Sequence, residues 1–173
     1  MRKLLFLLLL IAVPTRAEQV SLIPPLVHVD FRAYGLGLIP FDGKFTRFHG
    51  WLRYDPAHPE ACQVVLEIDA ASLAMSNEPV RDAIAGPEFM DVSRFPELAF
   101  HGDCQGDVIA GSLLLHGENH PFSLDLMRSA QTITATGRLQ RARWGMTARR
   151  FTAGSTIRIR IEIPNPVRGP CTL

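Results

Sequence analysis

TIRIRIEI, residues 156–163, alternates isoleucine with threonine, arginine and glutamate at every position. A period of two places Ile157, Ile159, Ile161 and Ile163 on one side of an extended chain, and Arg158 and Arg160 on the other. That is the signature of a β-strand buried on one face only, whereas a helix would spread the same isoleucines around its circumference.

Working outward from this stretch, the same alternation recurs. It appears at Val27, Val29 and Phe31; at Phe48, Leu52 and Tyr54; at Val64, Leu66 and Ile68; and at Leu98 and Phe100. It continues at Leu113 and Leu115, at Phe122, Leu124 and Leu126, and at Ile133, Ala135, Gly137 and Leu139. Turn signals such as Asp55-Pro56, Gly117-Glu118-Asn119 and Ala153-Gly154-Ser155 separate the runs. Eight half-apolar strands predict an all-β antiparallel domain, either a barrel or a sandwich. Only residues 72–95 interrupt the rhythm at length, with room for a helical turn or two around Val80 to Ala85, between the third and fourth strands. The interruption ends in FMDVSRFPELAF, residues 89–100, where Pro96 excludes Phe95 from the helical region and a strand can start at Glu97.

Composition narrows the class. MRKLLFLLLLIAVPTRA, residues 1–17, has two cations, ten apolar residues from Leu4 to Val13, and an ending suited to signal peptidase. It reads as a signal peptide cut after Ala17, its apolar run too short to span a bilayer. Residues 18–173 then form one domain, and a periplasmic location is expected. Losing Arg2, Lys3 and Arg16 takes the formal net charge from +1 to −2, which argues against a nucleic-acid partner. Export permits disulfides among Cys62, Cys104 and Cys171. Cys62 opens the third strand and Cys104 closes the fourth with the same parity, so antiparallel pairing would bring their sulfurs together; pairing of either with Cys171 is the alternative.

Catalytic chemistry finds little support. In HGENH, residues 116–120, His116 and His120 have the separation of a zinc-protease helix, but Glu118 is one place late and Gly117, Asn119 and Pro121 favour a turn. Ser72 and Ser112 have no histidine placed beside them by any motif. The expectation is a protein that is not an enzyme, with no metal and no cofactor.

Several segments in order resemble the YceI-like family of periplasmic lipid-binding proteins. GKFTRFHGWLRYDP (43–56) is similar to its Gly-x-Phe-x-x-Phe-x-Gly strand, and LEIDAASL (66–73) to its Ile-Asp-x-x-Ser segment. VRDAIAGPEFMDVSRFPELAF (80–100) resembles its Arg-Asp, Phe-x-Asp-Val, Phe-Pro series; IAGSLLLHGENHPFSLDL (109–126) and RARWGM (141–146) resemble later motifs. The chain differs in having Tyr34-Gly35 where the family has His-Gly, a short connection from Leu126 to Ile133, and Arg143 at a usually acidic position. The resemblance implies a lipocalin-like, eight-stranded antiparallel barrel holding an isoprenoid or similar long-chain lipid. A filled barrel serving as a protein-interaction module is the competing reading, and a metal-dependent hydrolase using His116 and His120 a weaker one.

On a hollow barrel, Phe48, Leu66, Phe100, Leu113, Phe122, Ala135, Gly137 and Ile159 would line the lumen, and Phe89 and Phe95 would close one end. Small inward residues at Gly111, Ala135 and Gly137 favour a cavity. Arg141 shares the inward parity of Leu139, and with Trp144 is the candidate for a barrel end or lipid head group, with Asp91 or Asp82 as a structural partner for the guanidinium. Seven arginines and no acidic residue lie between Arg138 and Arg160, either a solvated basic face or a surface for transient contact with anionic lipid heads. A dimer is compatible with all of this.

Overall fold

The computed structural model describes residues 17–36, 38–149 and 152–165. The expected signal peptide, apart from Ala17, and Cys171 lie outside the described residues. Eleven strands form one antiparallel sheet: β1 (Glu18–Ser21), β2 (His28–Gly35), β3 (Ile39–Phe45), β4 (Phe48–Asp55), β5 (His58–Asp69), β6 (Leu73–Met75), β7 (Glu97–Gln105), β8 (Val108–Leu115), β9 (Glu118–Arg128), β10 (Thr132–Gln140) and β11 (Thr156–Pro164). One α-helix, α1 (Glu78–Ala85), lies between β6 and β7.

The spatial order is β1-β4-β5-β7-β8-β9-β10-β11-β2-β3-β6, so the sheet curls into a half-barrel with β1 and β6 at its edges. This corrects the expected closed eight-stranded barrel. The eight strands read from alternation are all present, and β1, β3 and β6 are added to them. Among the described residues no ladder joins β1 to β6. The chain itself spans the opening, because β3 bends into β4 at Thr46-Arg47 and β5 bends into β6 through the 3₁₀ turn Ala70–Ser72.

Polar contacts hold that corner. The buried Ser72 hydroxyl accepts from the Thr46 amide at 3.2 Å and lies 2.7 Å from the Asp69 carbonyl, to which it donates. The Asp69 carboxylate accepts from the Ala71 amide at 2.8 Å, capping the turn, and pairs with Arg47. Ser72 is therefore satisfied by backbone groups at a bend.

Inward residues of all the long strands meet in one apolar interior that includes Leu66, Leu124 and Leu139, each about 2% exposed. Burying each of these side chains stabilises the fold by about 1.5–3 kcal/mol. Cys62 and Cys104 lie one step beyond the Gln63–Asp103 register pair and are joined as a disulfide, with 4.7 Å between their Cα atoms. The bond links residues 42 apart, and closing such a loop is worth about 4 kcal/mol in the chain-entropy model.

Candidate functional site

The apolar interior is not filled. A chamber of about 470 Å³ occupies the end near β2, α1 and the loop after Trp144, and a smaller one of about 190 Å³ lies toward the disulfide. Leu66, Phe100, Leu124 and Ile161 line both, so they form a waist between two parts of one apolar space. The larger volume is in the range of small-molecule sites. Its wall is almost wholly hydrocarbon, and Arg141 is the charged side chain most deeply buried in it.

The segment RARWGM explains how a guanidinium comes to be there. Arg141–Trp144 forms a 3₁₀ turn at the end of β10, and the Trp144 indole pins it by donating to the Leu113 carbonyl at 3.0 Å. Gly145 follows in the left-handed region at φ 72°, a conformation that favours glycine. The chain then folds back, and Arg141 donates to the carbonyls of Met146 (2.5 Å), Gly154 (2.9 Å) and Ala153 (3.3 Å). Its guanidinium also lies 5.4 Å from the centre of the Phe89 ring. Neither Asp82 nor Asp91 pairs with it: Asp82 pairs with Arg81, and Asp91 accepts from the Ser93 hydroxyl. Burial pushes the Arg141 pKa down, as expected for a cation removed from water with no carboxylate beside it, though a guanidinium remains protonated.

Most of the nominated lining residues surround this space. Leu66, Phe89, Phe100, Leu113, Phe122 and Ile159 line the larger chamber, and Ala135 lines the smaller. Five expected positions stand elsewhere. Phe48 is buried but lines neither chamber. Phe95 packs its ring 4.6 Å from that of His116, against the β8–β9 turn, and so does not close the lumen. Gly137 does face inward, but a Cβ there would meet Phe122 Cζ at 2.6 Å and Leu124 Cδ2 at 2.8 Å, so neighbouring side chains already occupy its space. Gly111 is small for another reason: a Cβ would strike the His101 carbonyl oxygen at 2.0 Å, a close approach of backbones. Trp144 anchors the arginine turn, with its ring edge-on to Phe122 and His120, and does not line either chamber.

The histidine pair has no catalytic geometry. His116 and Gly117, both at positive φ, form the two-residue β8–β9 turn. His116 Nδ1 lies 3.0 Å from the Trp144 carbonyl, to which it donates, and His120 Nε2 is 2.8 Å from Glu118. Among the described residues no group of three or more His, Cys, Asp or Glu side chains could hold a metal.

Alternation alone does not reveal the chamber's mouth. Leu36 and Ile39 on the β2–β3 turn, Val80, Ala83 and Ile84 on α1, and Arg149 and Thr152 on the late loop all border it. No residue of α1 is fully buried, so the helix turns its apolar side to the cavity without sinking into a core. The one sequence signal was the apolar spacing of Val80 and Ile84, four apart on a short helix capped by Asn77.

Comparison with known proteins places this architecture. The family model described as a YceI-like domain matches residues 21–164. A UPF0312 protein of Pseudomonas savastanoi pv. phaseolicola is 35% identical over 102 residues, 54% of this chain and 52% of that protein. One from Vibrio cholerae serotype O1 is 33% identical over 105 residues, 56% and 54% of the two chains. The chain therefore spans about half the length of the curated relatives it matches. Among solved structures, BcnA of Burkholderia cenocepacia superposes with TM-score 0.63 at 18% identity, covering 80% of this chain and 96% of that one. A polyisoprenoid binding domain from Saccharophagus degradans superposes with TM-score 0.57 at 12% identity, covering 86% and 100%. Identities this low establish a shared fold and no more. With the family model matching from the end of β1 to the end of β11, the chain belongs to the YceI-like domain family.

Proposed function

We propose that this protein is a periplasmic binding protein that holds the chain of an isoprenoid or similar long-chain amphiphile in its apolar interior, without catalysing a reaction. The observation that carries this reading is the unfilled hydrocarbon-lined space in two adjoining parts, bordered at its open end by one buried cation. A packed interior has few voids larger than a water molecule, so a chamber of about 470 Å³ asks for an occupant. A chain entering past Leu36 and Ile39 would run between Phe89, Phe122 and Leu113 toward the waist at Phe100. Its polar end would stay near Arg141 and Arg149. The likeness to a domain described as polyisoprenoid binding is consistent with such a cargo.

The test is to purify the protein without detergent from its own envelope, extract it with organic solvent and identify co-purifying lipid by mass spectrometry. The reading predicts a stoichiometric long-chain lipid that is depleted in Phe89→Ser and retained in Phe95→Ser. Parent protein free of lipid would support a protein-interaction module instead.

A further inference from the structure

Six large apolar side chains are well exposed among the described residues, and three of them sit within one four-residue span. Leu36 (65%), Leu38 (86%) and Ile39 (50%) form the tip of the β2–β3 turn. Leu36 and Ile39 also line the larger chamber, so the apolar surface runs without a break from the outside of the tip into the cavity. Exposed apolar surface continuous with a binding cavity marks an interaction site.

Charge near the tip identifies the partner. Arg138, Arg158 and Arg32 lie directly opposite one another across β10, β11 and β2 on the outer face. Like charges in register repel, and only Arg32 has a carboxylate partner, Asp42. Among the described residues, Arg138 and Arg158 form no ion pair, and Arg158 extends over the ring of Tyr34 at 5.6 Å. Tyr34 is two residues behind Leu36, about 7 Å at the rise of a strand. When the tip enters the hydrocarbon of a bilayer, that spacing sets Arg158 at the depth of the phosphates.

We propose that the tip of the β2–β3 turn and the arginine row form a docking face for an anionic bilayer. Leu36, Leu38 and Ile39 insert, and Arg158 and Arg138 meet the lipid phosphates. The proposal deepens the reading of the interior as a lipid site, since it puts the mouth of the chamber against the membrane that would supply or receive the chain. It is tested independently of cargo.

The experiment is flotation of the purified protein with vesicles of phosphatidylethanolamine and phosphatidylglycerol, compared with vesicles of phosphatidylcholine alone. Binding to the anionic vesicles is expected, weakened by salt. Leu38→Asp, at a position outside the chamber lining, should reduce it at least tenfold with thermal stability unchanged. Arg138→Gln combined with Arg158→Gln should remove the preference for anionic vesicles, by about fivefold per arginine. Failure to float with either composition overturns the proposal, and so does flotation that Leu38→Asp leaves intact. If the parent is a dimer by light scattering and Leu38→Asp makes it monomeric, the tip covers a second copy and the bilayer reading falls. Lipid content of the same samples reports separately on the interior, so a loaded protein that ignores vesicles refutes only the docking face.

Discussion

Phe100→Ala probes the waist, where the Phe100 ring stands with Leu66, Leu124 and Ile161 between the two chambers. Phe100 is 4% exposed, borders both spaces, and meets Phe122 edge-on with ring centres 6.2 Å apart. Truncating a phenylalanine in a packed core costs about 3–5 kcal/mol. This ring faces empty space on two sides and has fewer neighbours to lose, so the low end applies, about 3 kcal/mol. For a domain of this size each kcal/mol moves the midpoint by about 2–4 °C, so calorimetry should register a fall of roughly 6–12 °C. Removing the ring also merges the chambers into one longer space. Titration with isoprenoid alcohols of increasing length should therefore show the optimum shifting to longer chains in the variant. A destabilised variant with an unchanged length optimum would show that the chain never reaches the waist, and the two-chamber account would be wrong.

Other perturbations separate structural from binding roles. Gly137→Phe would drive a ring into Phe122 and Leu124, so it should destabilise by about 1–3 kcal/mol as an overpacked core does, read by urea unfolding. Cys62→Ser with Cys104→Ser should lower stability by about 4 kcal/mol in the same assay while leaving lipid binding in place. Arg141→Met leaves three loop carbonyls without their donor. Proteolysis should then cut residues 145–154 faster than in the parent. Asp69 gives a pH signature: the hydrogen bond from Arg47, with the Ala71 amide, holds its carboxyl below the ordinary value. Its contribution is present above about pH 3.9 and lost as pH falls through the depressed pKa, with less than about 1 kcal/mol at stake for so exposed a pair. Acid titration of Asp69→Asn should show that part of the slope missing.

How much of this was legible depended on whether a residue's neighbours were set by its own strand. Ile157 to Ile163 could be placed from period two alone, and so could Leu66, Phe100 and Phe122, because parity fixes the face a strand residue takes. IPFDGKF, residues 39–45, also alternates, with Ile39, Phe41 and Phe45 on one parity and Asp42 and Lys44 on the other, but Pro40 and Gly43 are turn residues that mask the strand. The edge strands β1 and β6, of four and three residues, are too short to display a period. Closure failed for a related reason: nothing in the alternation announces that β3 and β4 are one run of chain bent at Thr46-Arg47. Phe95 lies in a turn, where no periodicity dictates direction, and it turned toward His116. Arg141 was placed inward correctly, yet its partners are carbonyls supplied by a loop that doubles back, a tertiary fact that no carboxylate spacing could foretell.

The central claim, that the interior holds a lipid chain, is tested most directly by a crystal structure of the protein purified without detergent from its own envelope. The account predicts continuous tubular density beginning beside Arg141, passing between Phe89 and Phe122, and reaching Phe100. Chambers containing only water, or filled by repacked side chains, in protein prepared this way would contradict it.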